Sequence, residues 1–599
     1  MDPPADPVPA PAGWADLPDE IIEQFYENLS AGDYVRLGQV DKRCQTVFKS
    51  TKIRYKFMLL THNLVDVNPD QPPVEKLKEL EERIASWSTL RPRRTDFEFT
   101  VNGRTSIYEL QEGIFLHTEG NIDWVEQLRG VKPHLLRLVA LPWADNELKK
   151  RITSETRDVG FDIADLTFDP TQDLIVISEK IKYGTAQIAN VPLLRYHLLT
   201  ISSLQPHPLA TRIPLYSIEE STRVRNIYQL LQIYGDILAV SATPASSGFI
   251  DDQGDGSRSH MVRVWNWKTG ENLGELVLST LTSPPAMILL DEHRFLLVID
   301  HGNRVHLDIY GINGKRDPRN PEQAKLLTRF SMNPYKSTAT SSVELRSILA
   351  RPDPPFPSTS VKTSLGKLKP FTEDPETGLM VLSLQFVLTA GAFPIAEETV
   401  VFFLKEGLLN MSKAYEKTLE QEAQEREVEV TDDDRVIEWD QWKHLTRVME
   451  EPEATPRWVC FVHGYRYISR VEIPTTDDED DEDDLAPRPS HLQIFDFSPT
   501  SIRKFEADYG HMLGPSREHN FIMFDDYTVQ YFSRKHASKV YLEESRVPHF
   551  ETNLPYLVIT RTAETYDISG LMIDEARIIL SHSRDSRDEP RSQFSVLTM

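Results

Sequence analysis

The chain has 599 residues, too many for one ordinary hydrophobic core, and 40% of them are hydrophobic, enough for a large folded domain. Its 92 acidic residues outnumber its 66 lysines and arginines, and the net charge of -26 disfavours nucleic acid and anionic membranes as partners. The two cysteines, Cys44 and Cys460, argue against a disulfide framework and fit a reducing intracellular compartment, cytoplasmic or nuclear.

The start of the sequence predicts a disordered tail. Residues 1–13 are rich in proline and alanine and cannot bury much apolar surface. They also lack the basic and apolar regions of a secretory signal, and no apolar run in the chain approaches the ~18–20 residues of a membrane span. We therefore expect a soluble intracellular protein that begins to fold after this tail.

Residues 14–55 predict a small module of three helices. Pro18 suits the start of a first helix, whose apolar residues recur at helical spacing as far as Leu29. Asp33 is a candidate N-cap of the second helix. The resulting apolar face has two interpretations: it binds another protein, or it folds back on residues 53–90 as an internal core.

A helical connector is predicted over residues 56–95. Its apolar side chains are spaced three or four residues apart and would pack as a stripe against a neighbouring element. These side chains are Leu77, Leu80, Ile84 and Trp87.

Residues 96–599 predict a large, mostly antiparallel all-β domain. Short apolar runs follow turns with an acidic residue or glycine, as at Asp169, Gly235, Asp291 and Asp374, and more weakly at Asp574. Repeated units of this kind, at irregular intervals, indicate a seven-bladed β-propeller with long insertions. The overall fold class is therefore α+β multidomain, with a helical module ahead of an all-β domain.

Polar and charged segments between the apolar runs are interpreted as insertions that leave from strand connections and need no function of their own. One of them is a charged helical stretch, and another holds the acidic run Asp477–Asp484. The insertions are predicted near 246–259, 313–325, 350–370, 406–435 and 475–490.

The sequence predicts no catalytic residue, metal or cofactor. The GxSxG, P-loop, GxGxxG, HExxH and paired CxxC patterns are missing. The acidic segment 251–256 departs from an EF-hand loop, since its twelfth position is Val262 and a strand follows. The tryptophans, among them Trp267 and Trp442, are interpreted as packing between blades rather than lining a recognition surface.

The module at 14–55 opens with Leu17, Pro18, Asp19, Glu20 and Ile21 and continues with Leu29, Asp33, Leu37, Val40, Arg43 and Phe48. This pattern resembles the F-box. Two positions depart from that motif: Cys44 stands where many members have tryptophan, and Tyr34 replaces leucine. Further along the chain, segments 437–442, 446–447 and 463–467, and 554–556 ahead of 572–575, are similar to segments of fungal, basidiomycete-type F-box proteins with a β-rich C-terminal region.

This resemblance implies a non-catalytic substrate-recognition subunit of a Skp–cullin–F-box (SCF) type ubiquitin ligase. A Skp-type adaptor would bind the helical module and bridge to a cullin, while the propeller would hold an unidentified protein substrate. Two alternatives stay open: a scaffold whose adaptor contact serves localisation or turnover, and a propeller enzyme such as a glycosidase with acidic residues converging on a central pocket. The residues implied in adaptor binding are Leu17, Pro18, Ile21, Ile22, Leu29, Leu37 and Val40.

Overall fold

A computed structural model gives the structure of most of the chain. The predicted tail 1–13, the insertion 246–259 and the acidic run Asp477–Asp484 lie outside the described residues, as do most of 313–325, 350–370 and 475–490. The described residues are 14, 17–102, 107–119, 133–141, 156–180, 194–217, 226–245, 260–278, 284–301, 304–312, 323–332, 341–351, 369–390, 394–450, 460–473, 489–513, 520–541, 549–586 and 589–599.

Helices and one short strand open the described chain. Among the described residues no helix is both long enough and apolar enough to cross a membrane. In order, these elements are α1 Asp19–Glu27, α2 Ala31–Gly38, α3 Lys42–Phe48, α4 Thr51–Thr61, β1 Leu64–Asp66 and α5 Pro73–Thr89. Later helices are α6 Lys405–Arg426, α7 Trp439–Trp442 and α8 Pro499–Tyr509.

Most of the remaining described chain is antiparallel β-sheet, and six of its sheets have the four or five strands of a propeller blade. The last of these sheets joins β2 Arg94–Asn102 to the C-terminal strands. The first blade contains β3 Tyr108–Gln111, β4 Ile114–Glu119, β5 Leu135–Ala140 and β6 Arg157–Asp158. The second contains β7 Ile163–Asp169, β8 Leu174–Lys180, β9 Leu194–Thr200 and β10 Leu215–Ser217. The third contains β11 Asn226–Tyr234, β12 Ile237–Ala245, β13 His260–Asn266 and β14 Glu271–Leu278. The fourth blade contains β15 Ala286–Asp291, β16 Arg294–Asp300, β17 Val305–Gly311, β18 Lys325–Ser331 and, from later in the chain, β23 Val436–Ile437. The fifth contains β19 Ser341–Arg351, β21 Leu379–Ala390, β22 Pro394–Leu404 and β24 Thr446–Glu450.

A larger, irregular sheet of seven strands precedes the last blade, and α8 is inserted between two of its strands. The predicted count of seven blades stays a prediction, because this sheet lacks the regular form. It contains β25 Val462–His463, β26 Arg466–Glu472, β27 Pro489–Asp496, β28 Phe521–Met523, β29 Tyr527–Phe532, β32 Tyr556–Arg561 and β33 Tyr566–Asp567. The last blade consists of β2, β34 Gly570–Ile573, β35 Arg577–Ser586 and β36 Glu589–Thr598. Two small sheets have two strands each: β1 pairs with β20 Phe371–Glu373, and β30 Ser538–Val540 pairs with β31 Phe550–Thr552.

The sheets follow one another around a ring. The first strands of neighbouring blades contact one another from β3 to β7, β11, β15 and β19. The ring closes where β2, from the start of the domain, pairs with β36 at the C-terminus. At that closure Phe99 lies opposite Phe594, and their rings stack 4.9 Å apart. Because a strand from the start of the domain and a strand from its end pair within one blade, the chain itself closes the ring, as in a propeller.

The acidic turns that the sequence places before apolar runs share one local geometry. In each, the aspartate carboxylate accepts the backbone N–H two residues further on: at 2.8 Å for Asp169, 2.7 Å for Asp291, 3.0 Å for Asp374 and 2.9 Å for Asp574. A strand begins a few residues after each one. Because this bond closes a turn locally, the residue type alone predicts where the chain reverses.

The large tryptophans pack inside the β domain. Trp267 and Trp442 have no exposed surface, and their indole N–H groups donate to the backbone oxygens of Gly235 at 3.0 Å and Ser331 at 3.1 Å. Each therefore ties together segments far apart in sequence while filling the core. Their structural interpretation is confirmed for these two residues.

Candidate functional site

The helix α2 begins earlier than its sequence suggests. Its N-cap is Ser30, whose hydroxyl oxygen accepts the Asp33 N–H at 3.4 Å and donates to the Asp33 carboxylate at 2.7 Å. Asp33 lies within the first turn, where a negative charge is favoured by the helix dipole. The prediction that Asp33 itself is the N-cap was wrong, because the hydroxyl of Ser30, three residues earlier, accepts the capping hydrogen bond from the Asp33 N–H.

The module has a complete core of its own. Tyr26 donates a hydrogen bond to the Cys44 carbonyl oxygen at 3.1 Å, and its ring lies 5.0 Å from that of Tyr34. Cys44 and Tyr34, the two departures from the F-box motif, are therefore both packed inside the module. The buried residues of this core are Ile22, Tyr26, Tyr34, Cys44, Val47 and Ile53, with Leu29, Leu37, Phe48 and Phe57 partly buried against them.

The residues predicted to bind an adaptor divide into an inner group, packed in or against the module core, and an outer group nearer the surface. Ile22 has no exposed surface, so any contact with a partner falls to the others. Leu29 and Leu37 are half-buried against the module core. Leu17 and Ile21 are half-buried near the outer surface of α1, Pro18 is exposed, and Val40 is 63% exposed.

Two further apolar residues lie on the same outer surface. Trp14 is 40% exposed and Phe25 is 47% exposed, and their rings lie 5.8 Å apart. The Trp14 indole donates to Asp41 at 3.0 Å, next to Val40. Phe25 stands four residues after Ile21 on α1, so helical spacing already places both on one side of the helix, although Phe25 was not among the residues predicted to bind an adaptor. We call the surface formed by Trp14, Pro18, Ile21, Phe25 and Val40 the α1 face.

The fourth helix, α4, packs on the side of the module opposite the α1 face. Ile53 is buried in the module core, and ion pairs join α4 to α1: Lys52 to Glu23 at 3.2 Å and Lys56 to Glu27 at 2.7 Å. Because α4 occupies that side, residues 53–90 do not cover the α1 face. The part of the predicted face that does fold inward is Ile22, Leu29 and Leu37.

The module is attached to the propeller through α4, β1 and α5. Strand β1 pairs with β20, and the Tyr55 hydroxyl donates to the Pro370 carbonyl oxygen at 3.4 Å. The Asn63 side chain donates to the Tyr465 hydroxyl at 2.6 Å. Leu80, which is fully buried, belongs to a small core shared by α4, α5 and Phe371. These contacts fix the direction in which the α1 face points from the propeller.

The ring encloses a central cavity of about 120 Å³. Its lining includes the acidic residues Glu112, Glu373, Asp374, Asp574 and Glu575. Two of them are held by ion pairs: the buried Lys369 ammonium donates to Glu112 and to Glu575, both at 2.8 Å. Burial lowers the pKa of Lys405 to about 8, and its ammonium donates to the carbonyl oxygens of Leu290 at 2.5 Å and Pro375 at 2.7 Å. Ion pairing and hydrogen bonding offset the cost of burying these charges.

Neither a metal site nor a similar known protein indicates what the described residues bind. Within the described ranges, no group of three or more histidine, cysteine, aspartate or glutamate side chains is placed to hold a metal ion. No protein-family model matches the chain, and no curated protein is significantly similar to it. A functional argument therefore has to come from the α1 face and its attachment.

Proposed function

We propose that the chain is the substrate-recognition subunit of an SCF-type ubiquitin ligase. The α1 face would bind a Skp-type adaptor, which bridges to a cullin, and the propeller would hold a protein substrate. The chain would perform no bond chemistry, but would raise the concentration of substrate near the ubiquitin-loaded enzyme. The observation that carries this proposal is an exposed apolar surface on a helical module whose own core is complete.

The exposure of these side chains favours a protein partner. Trp14, Phe25 and Val40 leave much of their surface in water, although the module buries other apolar residues fully. Aromatic and aliphatic side chains grouped in this way are typical of interaction surfaces, where each buried side chain contributes up to ~1.5–3 kcal/mol. The F-box resemblance supplies the identity of the partner.

The test is co-expression of the full chain with a Skp-type adaptor, followed by gel filtration. Val40→Glu places a charge on the α1 face without touching the module core, and we expect it to remove the complex. Val277→Glu is the matched control, because Val277 is 58% exposed on β14 of the propeller. A complex that survives Val40→Glu and a parallel Phe25→Glu variant would contradict the assignment of this surface.

A scaffold that uses the adaptor only for localisation or turnover is the second candidate. It shares the α1 face with the first, so adaptor binding alone does not distinguish the two. Co-purification of a cullin and ubiquitination of a captured protein are expected of the ligase subunit, whereas a scaffold would bind the adaptor without either.

We also propose that the irregular seven-stranded sheet takes the place of a seventh blade. The support is its position, since β25 contacts β21 of the preceding blade and β34 of the following one. A variant lacking the insertion around α8 should keep the ring closed, as measured by small-angle X-ray scattering. Expansion or aggregation of that variant would count against this proposal.

A further inference from the structure

A cavity separate from the central one lies where α5, α8 and the seven-stranded sheet meet. Its volume is about 220 Å³, nearly twice that of the central cavity. Ile84 on α5, Phe505 on α8 and Leu557 on β32 are among the residues that line it. Cavities with mostly apolar walls, at the junction of two folding units, are frequent binding sites for small molecules.

Aromatic rings form one wall of this cavity. Phe524 and Tyr527 stack with their centroids 4.5 Å apart, and Tyr509 meets Phe524 edge-on at 5.7 Å. These three residues line the cavity and are only half-buried, so part of their ring surface stays open to a guest. Because aromatic rings favour offset stacking and edge-on contacts, the wall suits a further aromatic ring.

The charged groups on the lining cancel one another. Arg466 and Lys504 are positive, and Asp496 and Asp508 are negative. Arg466 pairs with Glu373 at 3.9 Å; burial raises the pKa of Asp496, and the charge of Arg466 opposes that rise. Lys504 and Asp508 stand one turn apart on the exposed surface of α8. A charged guest would lose hydration without gaining a counter-charge of its own, so the lining favours an uncharged one.

His62 adds a neutral polar group to this lining. It is the C-cap residue of α4 and is half-buried. Burial, together with the charges of Arg466 and Lys504, lowers the pKa of His62 to about 4, so its imidazole is uncharged at neutral pH. Its side chain makes no hydrogen bond to any described residue. A neutral imidazole has one donor and one acceptor nitrogen, and it can therefore bond a hydroxyl or N–H group of a guest.

We propose that this cavity binds a small uncharged aromatic molecule that carries a hydroxyl or N–H group. The ring packs against the aromatic wall, and the polar group forms a hydrogen bond with the His62 imidazole. Because His62 and Ile84 belong to the helices and Leu557 belongs to the propeller, a bound molecule also strengthens the attachment of the helical module. Such binding is independent of the adaptor contact at the α1 face.

The first experiment is isothermal titration calorimetry of the full chain at pH 7 with three probes that share one ring system. These are 2-naphthol, which is uncharged, the anion 2-naphthoate and the cation 2-naphthylmethylammonium. We expect 2-naphthol to bind at least tenfold more tightly than either ion. No binding of 2-naphthol, or equally tight binding of either ion, would overturn the proposal.

A histidine variant tests the hydrogen bond. His62→Leu removes the imidazole and keeps an apolar side chain of similar size, and we expect at least fivefold weaker binding of 2-naphthol. His511→Leu is the matched control, because His511 is exposed just after α8 and lies outside the cavity lining. Equal affinity in these two variants would contradict the role given to His62.

A second variant locates the binding without relying on His62. Ser88 is exposed on α5 and lines the cavity, so Ser88→Trp adds bulk there without disturbing the core. We expect it to weaken binding of 2-naphthol at least tenfold. Lys78→Trp adds the same side chain at an exposed position of α5 outside the lining and should leave the affinity unchanged. Equal affinity in Ser88→Trp and Lys78→Trp would place the ligand elsewhere and overturn the assignment.

Discussion

Arg83 on α5 donates a hydrogen bond to Glu575 at 2.7 Å, although 492 residues separate them in the sequence. Glu575 lies in the turn between β34 and β35 of the last blade and also accepts Lys369. Burial alone would raise the pKa of Glu575, but the positive charges of Lys369 and Arg83 hold this pKa below its usual value. The carboxylate therefore stays ionised, and this buried group adds a contact between α5 and the propeller to those made by β1, Tyr55 and Asn63.

Removal of Arg83 should loosen that attachment. Arg83→Met leaves Glu575 buried with Lys369 as its remaining charged partner, so the loss should be smaller than the ~3–5 kcal/mol of a fully unpaired buried charge. We expect faster hydrogen exchange in α5 and a lower unfolding temperature. Arg54→Met is the control, because Arg54 pairs with Glu81 at the surface, where an ion pair contributes little. Equal effects of the two variants would contradict the role given to Glu575.

Two glycines with positive φ provide a second test. Gly113, with φ of +72°, follows Glu112 in the β3–β4 turn, and a Cβ there would lie 2.6 Å from the Arg577 guanidinium. Gly160, with φ of +80°, has open space around the same position. Gly160→Ala should cost only the backbone strain, about 1–2 kcal/mol, whereas Gly113→Ala should cost more because Arg577 must move. Urea unfolding measures the difference, and equal losses would show that Arg577 yields freely.

A buried hydroxyl pair joins the long helix α6 to the neighbouring strand β18. Thr328 on β18 and Ser412 on α6 have no exposed surface, and their hydroxyl oxygens lie 2.8 Å apart. Thr328→Val keeps the shape but removes this bond, with an expected loss of about 1 kcal/mol in the free energy of unfolding. Thr418→Val, further along α6, removes a hydroxyl that bonds only to its own helix. That variant should change stability by less than about 0.5 kcal/mol.

The sequence predicted local features better than it predicted contacts. Turns closed by residues such as Asp169 could be recognised because the carboxylate bonds only two residues away. On α1, however, Ile21 and Ile22 both belong to apolar stripes, and helical spacing alone does not tell which stripe faces inward. The structure buries Ile22 and leaves Phe25 exposed. The pairing of β2 with β36 spans nearly the whole chain, and no local signal in either strand indicates it.

Asp169 should make stability depend on pH. Burial raises its pKa from 3.8 to about 6, against the opposing hydrogen bonds from Thr171 and Gln172. Since the folded state holds this proton more tightly than the unfolded chain, the contribution is fully present below about pH 4 and is lost as the pH rises through 6. Asp169→Asn keeps an oxygen for the Thr171 N–H but cannot titrate. Urea unfolding of both proteins between pH 4 and pH 7 should therefore show that the wild type loses stability relative to the variant as the pH rises. A constant difference over that range would mean that Asp169 titrates in the folded protein as it does in the unfolded chain.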